Sequence, residues 1–164
     1  MQVVKPIKRT KELAPLSRDH HSGLLLCWKI RTGIQKGISV DRIADYVVFY
    51  YENHLKEHFS EEEQYIFPLA GHNDEMVSKA LDEHRTIVSL ITKLENTTQR
   101  DNATLERLSY TLDAHIRFEE RQLFPYIEQK AAKEQLGNVG DVIAELHKDI
   151  KEPAWTDEFW VRTA

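Results

Sequence analysis

A histidine followed four residues later by a glutamate occurs twice in the chain, each time inside the same longer pattern. The first copy covers residues 58–68 and the second covers residues 115–125. In both copies two glutamates stand four and five places after the histidine, and Phe-Pro stands nine and ten places after it. On an α-helix, side chains four residues apart lie about 40° apart on one face. Each pair is therefore suited to chelate a metal ion, as similar pairs do in helical bundles.

Apolar residues that recur at steps of three and four predict the helices that would carry these pairs. The first helix is expected to start near Pro15. The other three are expected at about residues 41–69, 73–95 and 102–130. Short connections between four long amphipathic helices predict an all-α fold, an antiparallel up-down four-helix bundle with a short C-terminal helix and tail. The two histidine–glutamate pairs fall on the second and fourth helices.

The segments outside these four helices carry predictions of their own. Residues 1–11 are predicted to form an extended basic arm. Residues 137–140 begin and end with glycine and are expected to break the chain, so that a short fifth helix would cover 142–150. The tail over residues 155–160 contains three aromatic side chains, which we expect to pack on the bundle or to form a dimer contact.

Composition restricts the class of protein. The chain has 164 residues, 41% apolar and 30% charged, which predicts a single domain over 1–164, with the bundle core at about 13–130 and an extension over 131–164. A net charge of −5 gives no support to a nucleic-acid partner. No apolar run approaches the length of about 18 residues that a membrane span requires, so no membrane partner is expected. A single cysteine, Cys27, suits a reducing compartment, and we expect a cytoplasmic protein.

Each predicted helix carries one histidine on its inward face, and two of these histidines have a glutamate one turn later. An ionised carboxylate buried without a partner is costly, and two of them on facing helices would also repel each other. A pair of bound cations would remove both costs. Imidazole and carboxylate ligands without thiolate favour iron or manganese over a cysteine-type zinc site. The candidate metal ligands are His20, His58, Glu62, His84, His115 and Glu119.

Neighbouring residues leave some alternatives open. On the first helix His20 is in line with Leu16 and Cys27 and is preferred, but adjacent His21 stays an alternative ligand. His54, one turn before the histidine of the first repeat copy, stays an alternative ligand too.

The repeat itself decides between adjacent glutamates. Glu62 is preferred to Glu61, because the counterpart of Glu61 in the second copy is Phe118. Glu63 and Glu120 point about 140° away from their histidines, so they are expected to be solvated or ion-paired, with a role behind the ligands left open.

Histidines near predicted helix ends are assigned to the surface. His72 and His147 have no metal-binding neighbours in the sequence pattern. Both are therefore expected to be surface residues.

The motifs together resemble the hemerythrin-like (HHE cation-binding) domain family over roughly residues 13–130. The resemblance rests on Asp-His-His at residues 19–21, the two repeat copies and Glu-His-Arg at residues 83–85, in that order. It implies a four-helix bundle with a non-haem di-iron centre, in which two iron ions are joined by an oxo bridge. It also implies that the six candidate residues are the iron ligands.

The sequence departs from the oxygen-carrying hemerythrins at two places. Those proteins have two histidines one turn apart on the third helix, whereas Ala80 and Val88 flank His84 at that spacing. They also have His-x-x-x-x-Asp on the fourth helix, whereas the pair here is His115 and Glu119. The remaining ligands would leave an open coordination position on both irons. This difference weighs against reversible oxygen carriage.

The leading functional prediction is a di-iron protein that binds or senses oxygen, another small diatomic ligand or peroxide. The alternative is a redox enzyme or iron-delivery protein acting on nitric oxide, peroxide or damaged iron clusters, since the same ligands would serve both. A third hypothesis is a metal-free helical interaction protein, whose stability would not depend on iron.

Overall fold

The computed structural model describes residues 8–162, and this part of the chain contains helices and no strand. The all-α prediction is confirmed, whereas the antiparallel up-down order of the bundle stays a prediction. Residues 1–7 of the predicted arm over 1–11 lie outside the described residues. The helices are α1 at Ala14–Gln35, α2 over the continuous helical run 40–70, α3 at Glu75–Glu95, α4 over the continuous run 102–130, and α5 at Lys133–His147.

Local residues account for where the first four helices begin. Pro15 lies in the first turn of α1, where its missing N–H would have no helical partner in any case. The side chains of Ser39, Asp74 and Asp101 accept hydrogen bonds from backbone N–H groups in the first turns of α2, α3 and α4. Among the described helices, none is long and apolar enough to cross a membrane.

A wide, π-helical turn occurs at the same place in both copies of the repeat, over Glu62–Ile66 in α2 and Glu119–Leu123 in α4. In each turn the N–H of the Phe-Pro phenylalanine donates to the carbonyl of the first glutamate, five residues earlier. In a regular α-helix, the ring of the following proline would clash with the carbonyl four residues before it. The wide turn comes directly before the Phe-Pro pair in each copy, and such turns are frequent at functional sites.

Two apolar clusters form the core, and a polar layer lies between them. Phe59 belongs to the first cluster and stacks on the ring of His84, with centroids 3.8 Å apart. Phe124 belongs to the second cluster and stacks on His20, with centroids 5.1 Å apart. One aromatic ring from each cluster therefore covers one of the inward histidines.

The predicted break over residues 137–140 is wrong, because α5 runs through both glycines without interruption. Gly140 lies against the segment that precedes α1. A Cβ atom at Gly140 would be 2.6 Å from Cγ and 3.2 Å from Cα of Glu12. The glycine thus permits two backbones to approach closely and does not end the helix.

The aromatic tail packs on the bundle, as one of the two predictions for it stated. Phe159 is buried and fills the space beside Gly33, where an added Cβ would lie 2.8 Å from the phenylalanine ring. The Arg42 guanidinium donates to both carboxylate oxygens of Asp157, at 2.6 and 2.9 Å. The ring of Trp160 lies 4.0 Å from the Lys29 ammonium.

Candidate metal centre

Six ionisable side chains from four helices meet in the polar layer. Each is at most 6% exposed. The structure thus brings all the candidate ligands together, while their role in holding a metal stays a prediction. They are His20 on α1, His58 and Glu62 on α2, His84 on α3, and His115 and Glu119 on α4.

The donor atoms form two groups that share both glutamates. The first position consists of His20, His58 and the glutamate pair, and the second position consists of His84, His115 and the same pair. Within each group the four donor atoms lie within 4.8 Å of one another. Each position therefore draws on three helices and on both halves of the repeat.

The inner nitrogen, Nε2, of every histidine faces a glutamate oxygen. Within the repeat copies, Nε2 of His58 lies 3.0 Å from Glu62 and Nε2 of His115 lies 2.8 Å from Glu119. The histidines outside the copies make the other two pairs, His20 with Glu119 at 2.9 Å and His84 with Glu62 at 3.3 Å.

These inner atoms lie close to one another but are not directed as hydrogen bonds require, so in the described part of the chain they have no hydrogen-bond partner. They comprise Nε2 of the four histidines and both carboxylate oxygens of the two glutamates. Buried polar atoms are nearly always paired, so such a concentration of unpaired atoms requires an explanation. Two cations would satisfy all of them, since neutral imidazole nitrogen and carboxylate oxygen are ordinary ligands of first-row transition metals. The donor set fits a pair of metal ions.

Each histidine has a carboxylate beside its outer nitrogen, Nδ1. Where such a pair is hydrogen-bonded, it fixes the orientation and tautomer of a metal-binding imidazole. Three are hydrogen bonds and one is longer: Glu120–His20 at 2.6 Å, Glu83–His115 at 2.9 Å, Asp19–His58 at 3.0 Å and Glu63–His84 at 3.7 Å.

The four outer pairs follow the repeat. The acidic residue directly before the histidine of α1 faces the histidine of α2, and the same relation holds between α3 and α4. The second glutamate of each repeat copy faces a histidine from the other half of the chain. Sequence reasoning missed the roles of Asp19 and Glu83, although both stand immediately before an inward histidine.

Without metal, the carboxylates keep the imidazoles protonated. Burial by itself would lower the pKa of His58, but the charge of Glu62 and the hydrogen bond to Asp19 outweigh it and raise this pKa to about 9. For His84 burial is outweighed by the carboxylates of Glu119 and Glu62, which raise its pKa to about 11. Burial would raise the pKa of Glu62, yet its charged neighbours hold that pKa well below the usual value. A metal binding at Nε2 would displace these protons.

The alternative histidines do not join either group. His21 is exposed, whereas its neighbour His20 is buried and faces the glutamates. His54 is partly buried and its ring is tilted against that of Tyr50, with centroids 5.0 Å apart. His72 is exposed, as predicted.

The prediction that His147 is a surface residue is wrong. Its side chain is 15% exposed, and its Nε2 lies 2.7 Å from Oε2 of Glu61 and 3.8 Å from Oδ2 of Asp19. The pKa of His147 is raised, chiefly by its hydrogen bond to Glu61. This ion pair attaches α5 to α2 and accounts for the burial of Glu61. The two residues are too far apart in the chain for helical spacing to predict their contact.

An open groove borders the second position at His84. Its volume is about 690 Å³, and Tyr51, Phe59, Val88 and His84 are among the residues that line it. A small molecule in this groove would lie beside His84, one of the candidate ligands.

Comparison with known proteins agrees with the geometry. Neither a curated protein nor a solved structure matches the chain. A family model described as the hemerythrin HHE cation binding domain matches residues 12–127, a range that includes all six buried donors. Domains of this family bind metal cations. The chain therefore belongs to the hemerythrin HHE cation-binding domain family.

Proposed function

We propose that this protein holds two iron ions, one at each position, and that the resulting centre binds or senses oxygen or another small diatomic ligand. The observation that supports this proposal best is the set of unpaired inner atoms, four imidazole nitrogens and four carboxylate oxygens. They divide into two groups of four donors that share the same two glutamates. Shared carboxylates of this kind suit a pair of ions better than a single one.

The choice of iron rests on the chemistry of the donors. Four imidazoles and two carboxylates without thiolate suit iron or manganese, and the family binds metal cations. Bound iron would supply one-electron redox chemistry and a coordination position for a small ligand. The chain leaves room for such a ligand, since Ala80 and Val88, one turn from His84, carry no donor atom.

The protein's own residues supply orientation and exclusion of water. The carboxylates at Nδ1 hold the outer proton of three imidazoles, so that Nε2 is left for the metal. The rings of Phe59 and Phe124 cover two of the histidines. The groove beside His84 is lined in part by apolar side chains, which suits a small uncharged ligand.

The first experiment is elemental analysis of the purified protein, with a visible and near-ultraviolet spectrum before and after exposure to air. We expect about two irons per chain and a spectrum that changes with oxidation. The double substitution Glu62→Gln, Glu119→Gln should abolish loading, because it removes the charge shared by both positions. A matched control is Glu52→Gln, Glu106→Gln, which changes one exposed glutamate on each of the same two helices. One zinc per chain, or no metal after anaerobic addition of iron, would overturn the proposal.

Ligand binding and turnover can be separated in the loaded protein. If the centre binds or senses a ligand, nitric oxide or oxygen should produce a spectral change that reverses on removal of the gas. Consumption of peroxide or nitric oxide far in excess of protein would favour the enzyme alternative instead.

A further inference from the structure

We infer that the two positions hold metal unequally: Arg9 fixes the carboxylate behind His20, so the first position retains its metal longer than the second. The inference rests on the proposed two-metal centre and goes beyond it. Arg9 would be a positioning residue that acts on His20 through Glu120.

The carboxylate behind His20 is held from several directions. Oε1 of Glu120 lies 2.6 Å from Nδ1 of His20 and accepts a hydrogen bond from Oγ of Ser17 at 2.7 Å. Its other oxygen accepts from Nη2 of Arg9 at 2.8 Å. The Arg9 side chain is only 8% exposed and also pairs with Glu128 at 2.6 Å. An arginine held by two carboxylates in fixed directions has little freedom to move.

The corresponding carboxylate behind His84 has no such support. Oε2 of Glu63 lies 3.7 Å from Nδ1 of His84, too far for a hydrogen bond, and the Glu63 side chain is 45% exposed. Nδ1 of His84 has no hydrogen-bond partner in the described part of the chain. The stacked ring of Phe59 restrains the imidazole plane, but it offers no acceptor to the outer nitrogen.

The sequence repeat shows the same inequality independently of side-chain positions. Aligning the sequence at His20 and His84 places Ser17 opposite Leu81. Aligning it at His58 and His115 places Glu128 opposite Gly71. Leu81 has no hydroxyl that could donate to a carboxylate, and Gly71 has no side chain that could pair with an arginine. The hydroxyl and the second carboxylate of the Arg9 cluster therefore exist on one side only.

The other two outer pairs do not separate the positions. Asp19 lies 3.0 Å from Nδ1 of His58, and Glu83 lies 2.9 Å from Nδ1 of His115. The two positions thus differ in the carboxylates beside the outer nitrogens of His20 and His84. Loss of an outer-shell partner of a metal-binding histidine typically weakens metal affinity about 10–100-fold.

The test is the release of Co²⁺ from protein loaded with two equivalents, followed by its visible absorption after addition of excess EDTA. We expect two phases of similar amplitude. Arg9→Gln should speed the slow phase about tenfold or more and leave the fast phase unchanged. Glu120→Gln should speed the same slow phase, and Glu63→Gln should change neither phase by more than about twofold.

Arg100→Gln is the matched control. The Arg100 side chain is also 8% exposed and pairs with two carboxylates, those of Asp41 and Asp45, yet it contacts none of the donors. It should leave both phases unchanged. His84→Ala should remove the fast phase alone, which identifies the second position as its source.

Several outcomes would overturn the inference. These are a single release phase in the unaltered protein, acceleration of the fast phase by Arg9→Gln, or an equal effect of Arg100→Gln. If Arg9→Gln does not fold, as judged by circular dichroism, Glu120→Gln and Ser17→Ala decide the question in the same assay. Binding of fewer than two Co²⁺ ions by the unaltered protein would instead refute the two-metal centre itself.

Discussion

At the scale of residues, the positive charge beside the two buried glutamates comes either from protonated imidazoles or from metal ions. Two buried carboxylates cannot remain ionised without nearby positive charge, and in the metal-free protein the imidazoles supply it. Metal ions would take over this role, and the protons on Nε2 would then leave. Protons and metal therefore compete for the same atoms.

This competition predicts how stability depends on pH. The pKa of His58 is about 9 in the folded protein, above the 6.5 of an unperturbed histidine. Its charge therefore stabilises the metal-free fold fully below about pH 6.5, and this contribution is lost as the pH rises through about 9. We expect the melting temperature of the metal-free protein to fall over this range, while the affinity for metal rises. Thermal melts and metal titrations at pH 6.5, 8 and 9.5 would check both, and equal metal-free melting temperatures would contradict the prediction.

At the scale of elements, helical spacing and the repeat account for much of what could be predicted. The burial of His20 and the exposure of His21 follow from their positions on α1, and the repeat correctly separates Glu62 from Glu61 as the residue that faces the other histidines. These features depend on residues close together in the chain.

The features that could not be predicted depend on contacts between distant residues. Arg9 reaches Glu120, more than a hundred residues away. The segment before α1 packs against Gly140 of α5, and His147 is partly buried because α5 lies against Glu61 of α2. The wide turns change the backbone hydrogen bonds in a way that a helical wheel, drawn at a constant angle per residue, does not represent.

The two glycines of α5 provide a prediction with its own control. Gly140→Ala should destabilise the protein, because the new methyl group would meet Cβ and Cα of Glu12 at 2.9 and 3.2 Å. Gly137→Ala meets nothing within 4 Å and should stabilise it by up to about 1 kcal/mol through helix propensity. Denaturant unfolding of both variants tests this. Equal shifts in the same direction would mean that the close approach at Gly140 has no energetic role.

At the scale of the whole molecule, the metal positions would connect helices that apolar packing and ion pairs already hold together. Each position takes donors from three helices, and the shared glutamates lie on α2 and α4. The two apolar clusters do not depend on metal, so the metal-free chain should remain helical. Metal would add stability to a fold that already exists.

The size of that addition can be predicted from linkage. A metal that binds only the folded chain, at a free concentration about 100 times its dissociation constant, stabilises it by about 2.7 kcal/mol. Iron(II) added under anaerobic conditions should therefore raise the melting temperature of the unaltered protein. It should not do so for the Glu62→Gln, Glu119→Gln variant. An unchanged melting temperature in the unaltered protein would support the metal-free interaction hypothesis instead.

The sharing of Glu119 has a consequence for the order of events during synthesis. A ribosome makes the chain from its N-terminus, and five of the six donors are made before this residue. Both positions include Glu119, so neither has its full set of donors until that residue has emerged. Both then become complete at the same moment. The nascent chain would thus have no finished site until Glu119 has emerged, and loading would follow the appearance of α4.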